Sequence, residues 1–272
     1  MYSDYDLDMS SSTCDDTLDD EMCMTLQMNE NKVRNEVKNK IVGTNTYMNS
    51  LNVLVGKQNT GKTYTAIREI IKVCRTHFET HLVIYVNKNG TKSDGTFESL
   101  KSLIPVPIKY VSQKDAEQYI HSFLEYKECY NTILSKHLVN ELPVDMRDEL
   151  FENLYIDDFS RPYLHTIVYI EDATKSVLFK SDTFLDLLTQ CRHINCSFFI
   201  VVHYFKALST TIKSNIDTLY IFGGFSKQQF SYICYQSNIS APTSELYHAY
   251  TGLSKHSKLI IDCENGLFTL CE

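Results

Sequence analysis

The stretch Val55-Gly56-Lys57-Gln58-Asn59-Thr60-Gly61-Lys62-Thr63-Tyr64 decides how the rest of the chain is read. Four residues separate Gly56 from Gly61, and Lys62 and Thr63 follow at once, which is the spacing of a phosphate-binding loop. Glycine at these two positions lets the backbone pass close to an anion and turn its N–H groups toward it. The flanks fit that reading. Leu51–Val55 (LNVLV) is a short apolar run ending at a glycine, as in a buried strand. From Gly61 to about Phe78, Ala66, Ile67, Ile70, Ile71 and Cys74 share one side, which predicts a helix whose N-terminal dipole faces the same anion. Residues 56–64 are therefore the candidates for holding ATP. Lys62 reaches the β- and γ-phosphate oxygens, and the Thr63 hydroxyl holds Mg²⁺.

Outward from the loop, apolar strands alternate with helical patterns. HLVIYV (81–86), IKYV (108–111), TIVYI (166–170), SFFIVV (197–202) and TLYIF (218–222) read as strands, and 114–135, 146–154 and 182–190 as helices. Near-continuous apolar strands separated by helices predict an α/β fold with a mainly parallel sheet and helices on both faces. The end of the chain, KLIIDCENGLFTL (258–270), places Asn265-Gly266 between two apolar runs and predicts a C-terminal β-hairpin. Residues 127–165 are the least regular part and read as an insertion within a domain spanning 41–272.

Composition bounds the partners. The formal charge of −8 arises from a tail: residues 1–31 hold nine acids and no Lys or Arg, leaving 26 basic against 25 acidic residues in the remainder. Residues 1–40 thus read as an acidic, disordered N-terminal arm. Nine cysteines, odd in number and without a Cys-x-x-Cys pair, read as reduced thiols in an intracellular compartment. No apolar run has the length of a membrane span, and no signal-peptide pattern opens the chain.

Binding phosphate is only half of a hydrolytic site. The run HTIVYIEDA (165–173) drives a buried strand straight into Glu171 and Asp172, which places both acids at the carboxyl edge of the sheet, beside the loop. One can contact Mg²⁺ through water while the other polarises an attacking water. By position Glu171 takes the metal role with Thr63, and Asp172 the catalytic one. The usual order of the two acids is reversed here, which leaves that division open.

The order of phosphate loop, YIED strand end, Arg192-His193, buried strand with a polar tip at His203, and IKSNIDTLYIF resembles the poxvirus-type DNA-packaging ATPases of large DNA viruses and virophages. These belong to the FtsK–HerA superfamily of P-loop ATPases. The resemblance spans roughly residues 51–224. It implies a RecA-like P-loop NTPase fold and a Mg-dependent ATPase that works as a homo-oligomeric ring, pentamer or hexamer. Such a ring drives double-stranded DNA, independently of sequence, into a preformed capsid, with a capsid or portal-vertex protein as partner. It implies action at a virus assembly site in the cytoplasm or nucleus, or association with the virion. It makes Arg192 a candidate finger inserted into a neighbouring subunit's site, while the alternative of an ordinary helix-end Arg paired with an acid stays open. It makes His203 the γ-phosphate sensor, where the family usually has Gln, and sets Lys213 where it often has Arg. Lys175, Lys180, Lys206, Lys213 and Lys227 fall after core strands, the edge that would face DNA phosphates. Two other readings stay open: a P-loop nucleotide kinase, against which the scarcity of arginine argues, and a nucleotide-switched assembly protein with little turnover.

Overall fold

The computed structural model describes residues 48–90, 95–161, 163–172, 174, 176–237, 239, 243–254, 256–263 and 267–271. The acidic arm, Lys175 and the Asn265-Gly266 turn lie outside the described residues. Eight strands form one sheet: β1 (Leu51–Val55), β2 (Thr80–Asn87), β3 (Ile108–Ser112), β4 (His165–Ile170), β5 (Cys196–Val202), β6 (Thr218–Phe222), β7 (Lys258–Asp262) and β8 (Leu267–Cys271). Their order is β3-β2-β4-β5-β1-β6-β7-β8. The first six are mutually parallel, and β7 and β8 close one edge as the expected antiparallel hairpin.

The strands read as continuous apolar runs because both of their faces are covered. On one face Leu54, Val83, Tyr85, Ile167, Tyr169, Phe199 and Val201 pack under α1 (Lys62–Thr76), whose Ala66, Ile67, Ile70 and Cys74 form its buried stripe, and under Phe97 of α2 (Gly95–Leu100). On the other face Val53, Val55, Ile84, Val86, Val168, Phe198 and Ile200 meet α3 (Ala116–Ser135), α4 (Val144–Leu154), α5 (Asp182–Thr189), α6 (Thr210–Ser214), α7 (Lys227–Gln236) and α8 (Thr243–Thr251). Successive residues of a strand point to opposite faces, so adjacent Phe198 and Phe199 serve different cores. Each fully buried side chain of this size contributes about 1.5–3 kcal/mol. Residues 127–165 contain the second half of α3 and all of α4, whose Leu150 and Leu154 join the core. Helices α2, α6, α7 and α8 go beyond the sequence reading, although Ser226 and Gln229 form a capping box at the start of α7.

The amino edge of the sheet is pinned by buried polar groups. Lys127, 3% exposed, donates from Nζ to Ile194 O at 2.8 Å and to Asn195 O at 3.1 Å. His165 sits between Thr80 Oγ1 (2.8 Å) and Ser197 Oγ (2.9 Å), and His81 Nδ1 lies 2.9 Å from His165 O. Burial drives the His81 imidazole down to about 3 and that of His165 well below its ordinary value, with the Lys127 charge adding to both. Both rings are therefore neutral near pH 7.

Candidate functional site

Parallel strands put every strand-to-helix turn of β1, β2, β4 and β5 on one edge, and there the sequence motifs meet. Leaving β1, the chain turns at Gly56, whose N–H still donates to Val202 O of β5 at 3.3 Å. Any Cβ at Gly56 would lie 2.7 Å from Phe222 Cβ and 2.8 Å from Thr60 Oγ1, so only glycine fits. Asn59 (φ 56°) and Gly61 (φ 93°) both adopt left-handed backbone, which wraps the loop before α1 begins at Lys62. Thr60 Oγ1 donates to Lys57 O at 2.9 Å and braces the bend. Lys62 Nζ donates to the same oxygen at 2.6 Å. Burial lowers the Lys62 pKa to about 8, against the opposing pull of the Asp172 charge.

Across the cavity stands the acid pair. Glu171 follows β4 directly, and its N–H still donates to Val86 O of β2 at 2.9 Å. Thr63 Oγ1 donates to Glu171 Oε1 at 3.4 Å, and the Tyr85 hydroxyl donates to Glu171 Oε2. Burial raises the Glu171 pKa to about 7; the Thr63 hydroxyl opposes the rise and the neighbouring Asp172 charge adds to it. Asp172 turns into left-handed backbone (φ 45°) and is exposed. Gln113, just beyond β3, donates from Nε2 to Glu171 O at 2.9 Å and to Asp172 O at 3.5 Å.

His203 follows β5, the strand between β1 and β4, and bridges the two halves. Its Nδ1 lies 3.3 Å from Gly56 O and its Nε2 3.3 Å from Asp172 Oδ1, while its N–H donates to Thr174 Oγ1 at 2.8 Å. Gln58, Asn59, Thr60, Gly61, Lys62, Thr63, Tyr64, Glu171, Asp172 and His203 line one cavity of about 530 Å³. An anion entering it meets the Lys62 ammonium, the loop amides and the start of α1. Thr63 and Glu171 present hard oxygen atoms side by side, the donor set that suits Mg²⁺.

Not every site expectation converges there. Arg192 precedes β5 and so sits at the amino edge, the far end of the strands from the loop. Its Nη2 lies 2.9 Å from Asp217 Oδ1, and Asp217 Oδ2 accepts the N–H of Leu51 at 2.7 Å, at the opposite end of β1 from Gly56. Lys57 belongs to the loop and lies along Gly224. Lys213 is buried with Nζ 5.6 Å from the centres of the Phe205 and Tyr232 rings, and it donates to Tyr232 Oη at 3.3 Å. Lys206 lies over the same Tyr232 ring, at 5.1 Å, and Lys180 and Lys227 are exposed. Sequence reasoning passed over Tyr85 and Gln113. Tyr85 reads as one more core residue of an apolar strand, and Gln113 lies in a turn without a motif.

No family model and no curated protein matches the chain. Solved structures do. The genome packaging NTPase B204 of Sulfolobus turreted icosahedral virus 2, in complex with ATP-gammaS, superposes with a TM-score of 0.51 at 14% identity over 84% of this chain and 98% of that one. B204 of Sulfolobus Turreted Icosahedral Virus, described as a DNA-packaging ATPase, gives 0.50 at 12% identity over 82% and 97%. The cytoplasmic domain of the Type VII secretion ATPase EccC of Thermomonospora curvata gives 0.50 at 12% over 77% of this chain and 24% of that one. At such identities the likeness shows the fold: a P-loop ATPase fold with a mainly parallel sheet, as the sequence resemblance implied. Among the described residues, no helix is long and apolar enough to cross a membrane.

Proposed function

We propose that this chain is an ATPase whose turnover drives double-stranded viral DNA into a preformed capsid. The observation that carries this reading is the convergence of Lys62, Thr63, Glu171, Asp172 and His203 on one cavity at the carboxyl edge, with Thr63 and Glu171 3.4 Å apart. Lys62 leaves the Lys57 carbonyl to bind the terminal phosphates of ATP, and the loop amides beyond Gly56, up to Thr63, hold their remaining oxygens. Thr63 and Glu171 are the residues that would hold Mg²⁺, which when bound screens phosphate charge and polarises the γ-phosphorus. Asp172, solvent-facing and beside the phosphate site, orients the attacking water and takes up its proton. His203 touches both the loop and Asp172, so it is placed to register whether the γ-phosphate is present. Glu171 is assigned the metal side because its Oε1 faces Thr63, and Asp172 the water side because it is exposed.

The same reading gives the chain a homo-oligomeric ring, pentamer or hexamer, acting at a virus assembly site with a capsid or portal-vertex protein as partner. Arg192, at the opposite edge from its own cradle, serves a neighbouring subunit's site. The structural likeness to genome-packaging NTPases supports this choice over a nucleotide kinase. The test is the ATPase rate with and without long duplex DNA, together with the mass of the ATP-bound oligomer. Stimulation by DNA and a ring mass are expected. A DNA-independent phosphoryl transfer to a nucleoside acceptor would instead make the chain a kinase, and binding without turnover would make it a switch.

A further inference from the structure

We infer that Tyr85 and Gln113 are positioning residues for the acid pair: the Tyr85 hydroxyl fixes the carboxylate of Glu171, and the Gln113 amide fixes the turn that carries Asp172. The inference rests on the hydrolytic reading of the site given above.

The two oxygens of Glu171 face two different hydroxyls. Thr63 donates to Oε1 on the cradle side, and Tyr85 donates to Oε2 from the neighbouring strand β2. A carboxylate's terminal torsion is broad, so a single partner leaves it free to rotate. Two partners on opposite sides set its plane and keep Oε1 toward Thr63.

The Tyr85 donor cannot swing away. Its ring is fully buried, stacked on Phe97 at 4.0 Å between centroids, with Tyr169 at 5.3 Å and Tyr110 at 5.5 Å. The hydroxyl is therefore held by packing, whether or not nucleotide is bound, as a pre-organised site requires.

Gln113 acts on the next residue. Asp172 holds a left-handed backbone, which is less favourable than the right-handed one for a residue with a Cβ. Such a conformation persists when its surroundings over-determine it. Gln113 supplies that constraint by donating to Glu171 O and Asp172 O, the carbonyl oxygens of the two peptides that flank the Asp172 α-carbon. Its own N–H donates to Asn87 O at 2.7 Å, which anchors it to the end of β2. The acid pair is thus steadied by two strands on the side away from the phosphate loop.

Tyr85→Phe keeps the ring and removes the donor, and Gln113→Leu keeps the bulk and removes the amide. Four quantities are measured for each: thermal melting, affinity for ATP carrying a fluorescent ribose label in EDTA, the Mg²⁺ concentration that half-saturates the tightening of that probe, and kcat. For Tyr85→Phe, melting and EDTA affinity stay at wild-type values, the half-saturating Mg²⁺ rises about tenfold and kcat falls about tenfold. For Gln113→Leu, kcat falls about tenfold while Mg²⁺ dependence and EDTA affinity hold. Wild-type kcat and Mg²⁺ dependence in Tyr85→Phe would overturn the role of Tyr85, and wild-type kcat in Gln113→Leu that of Gln113. If the unmodified protein binds the probe but does not hydrolyse ATP, the hydrolytic reading fails and with it the role of Gln113. The Mg²⁺ titration then decides Tyr85 alone.

Discussion

The Lys62 ammonium donates to the carbonyl oxygen of Lys57 at 2.6 Å, so the loop that is shaped for phosphate is closed by its own cation. The amine is buried, and that burial lowers its pKa to about 8 against the opposing pull of the Asp172 charge. A phosphate oxygen can take the place of the carbonyl and neutralise the charge more fully.

Lys62→Met removes a buried cation and the main phosphate contact together. A charge-assisted hydrogen bond contributes roughly 1.5–3 kcal/mol, so ATP affinity should fall on the order of 10- to 100-fold. The melting temperature without nucleotide should not fall, because an incompletely compensated buried charge is removed. Calorimetric titration and thermal melts check both, and unchanged ATP affinity would remove Lys62 from the site.

The two loop glycines should respond differently to alanine. At Gly56 the new methyl carbon lands 2.7 Å from Phe222 Cβ and 2.8 Å from Thr60 Oγ1, so the loop must shift and ATP binding should be lost. At Gly61 the nearest atom is 3.7 Å away and only the left-handed backbone (φ 93°) is penalised, by about 1–2 kcal/mol. Melting curves and ATP titrations of both variants test this order.

These residues also show what the sequence makes legible. The cradle could be read because its requirements are local: two glycines, a lysine and a threonine at fixed spacing between a strand and a helix. The meeting of Glu171, Asp172 and His203 with it follows from parallel strands, which gather all their carboxyl ends on one edge. The same rule places Arg192, just before β5, on the opposite edge. The partners of Tyr85 and Gln113 lie 86 and 58 residues away in the chain, and no local pattern announces such pairings. Helix α8 carries only a weak amphipathic pattern and is fixed instead by packing of Leu246 and Tyr250, the latter donating to Phe222 O at 2.7 Å.

Acid should unfold the protein through its amino edge. His81 and His165 are neutral in the fold with pKa values far below those of the unfolded chain. Between about pH 6.5 and the folded values, the unfolded state binds more protons, so stability falls as pH falls, by up to about 1.4 kcal/mol per pH unit for each histidine. In denaturant titrations from pH 7 to pH 4.5, His81→Gln should show a shallower decline than the unmodified protein. An equal slope would mean that His81 is protonated in the fold.

Arg192 should matter between subunits and little within one. Its pairing with Asp217 is largely exposed, worth about 0–1 kcal/mol, so Arg192→Ala should melt close to the unmodified protein. Turnover should fall on the order of 1,000-fold. Mixing Arg192→Ala with Lys62→Met subunits should restore part of it, because one supplies intact cradles and the other intact fingers. Failure of such mixtures to regain activity would argue against a shared site.

The most direct measurement is single-turnover hydrolysis of Mg-ATP by Glu171→Gln and Asp172→Asn, with bound nucleotide quantified in the same samples. Both variants should retain ATP in the cradle and lose hydrolysis by on the order of 100-fold or more. Wild-type rates of cleavage in both would contradict the assignment of these acids, and with it the reading of this edge of the sheet as a site of ATP hydrolysis.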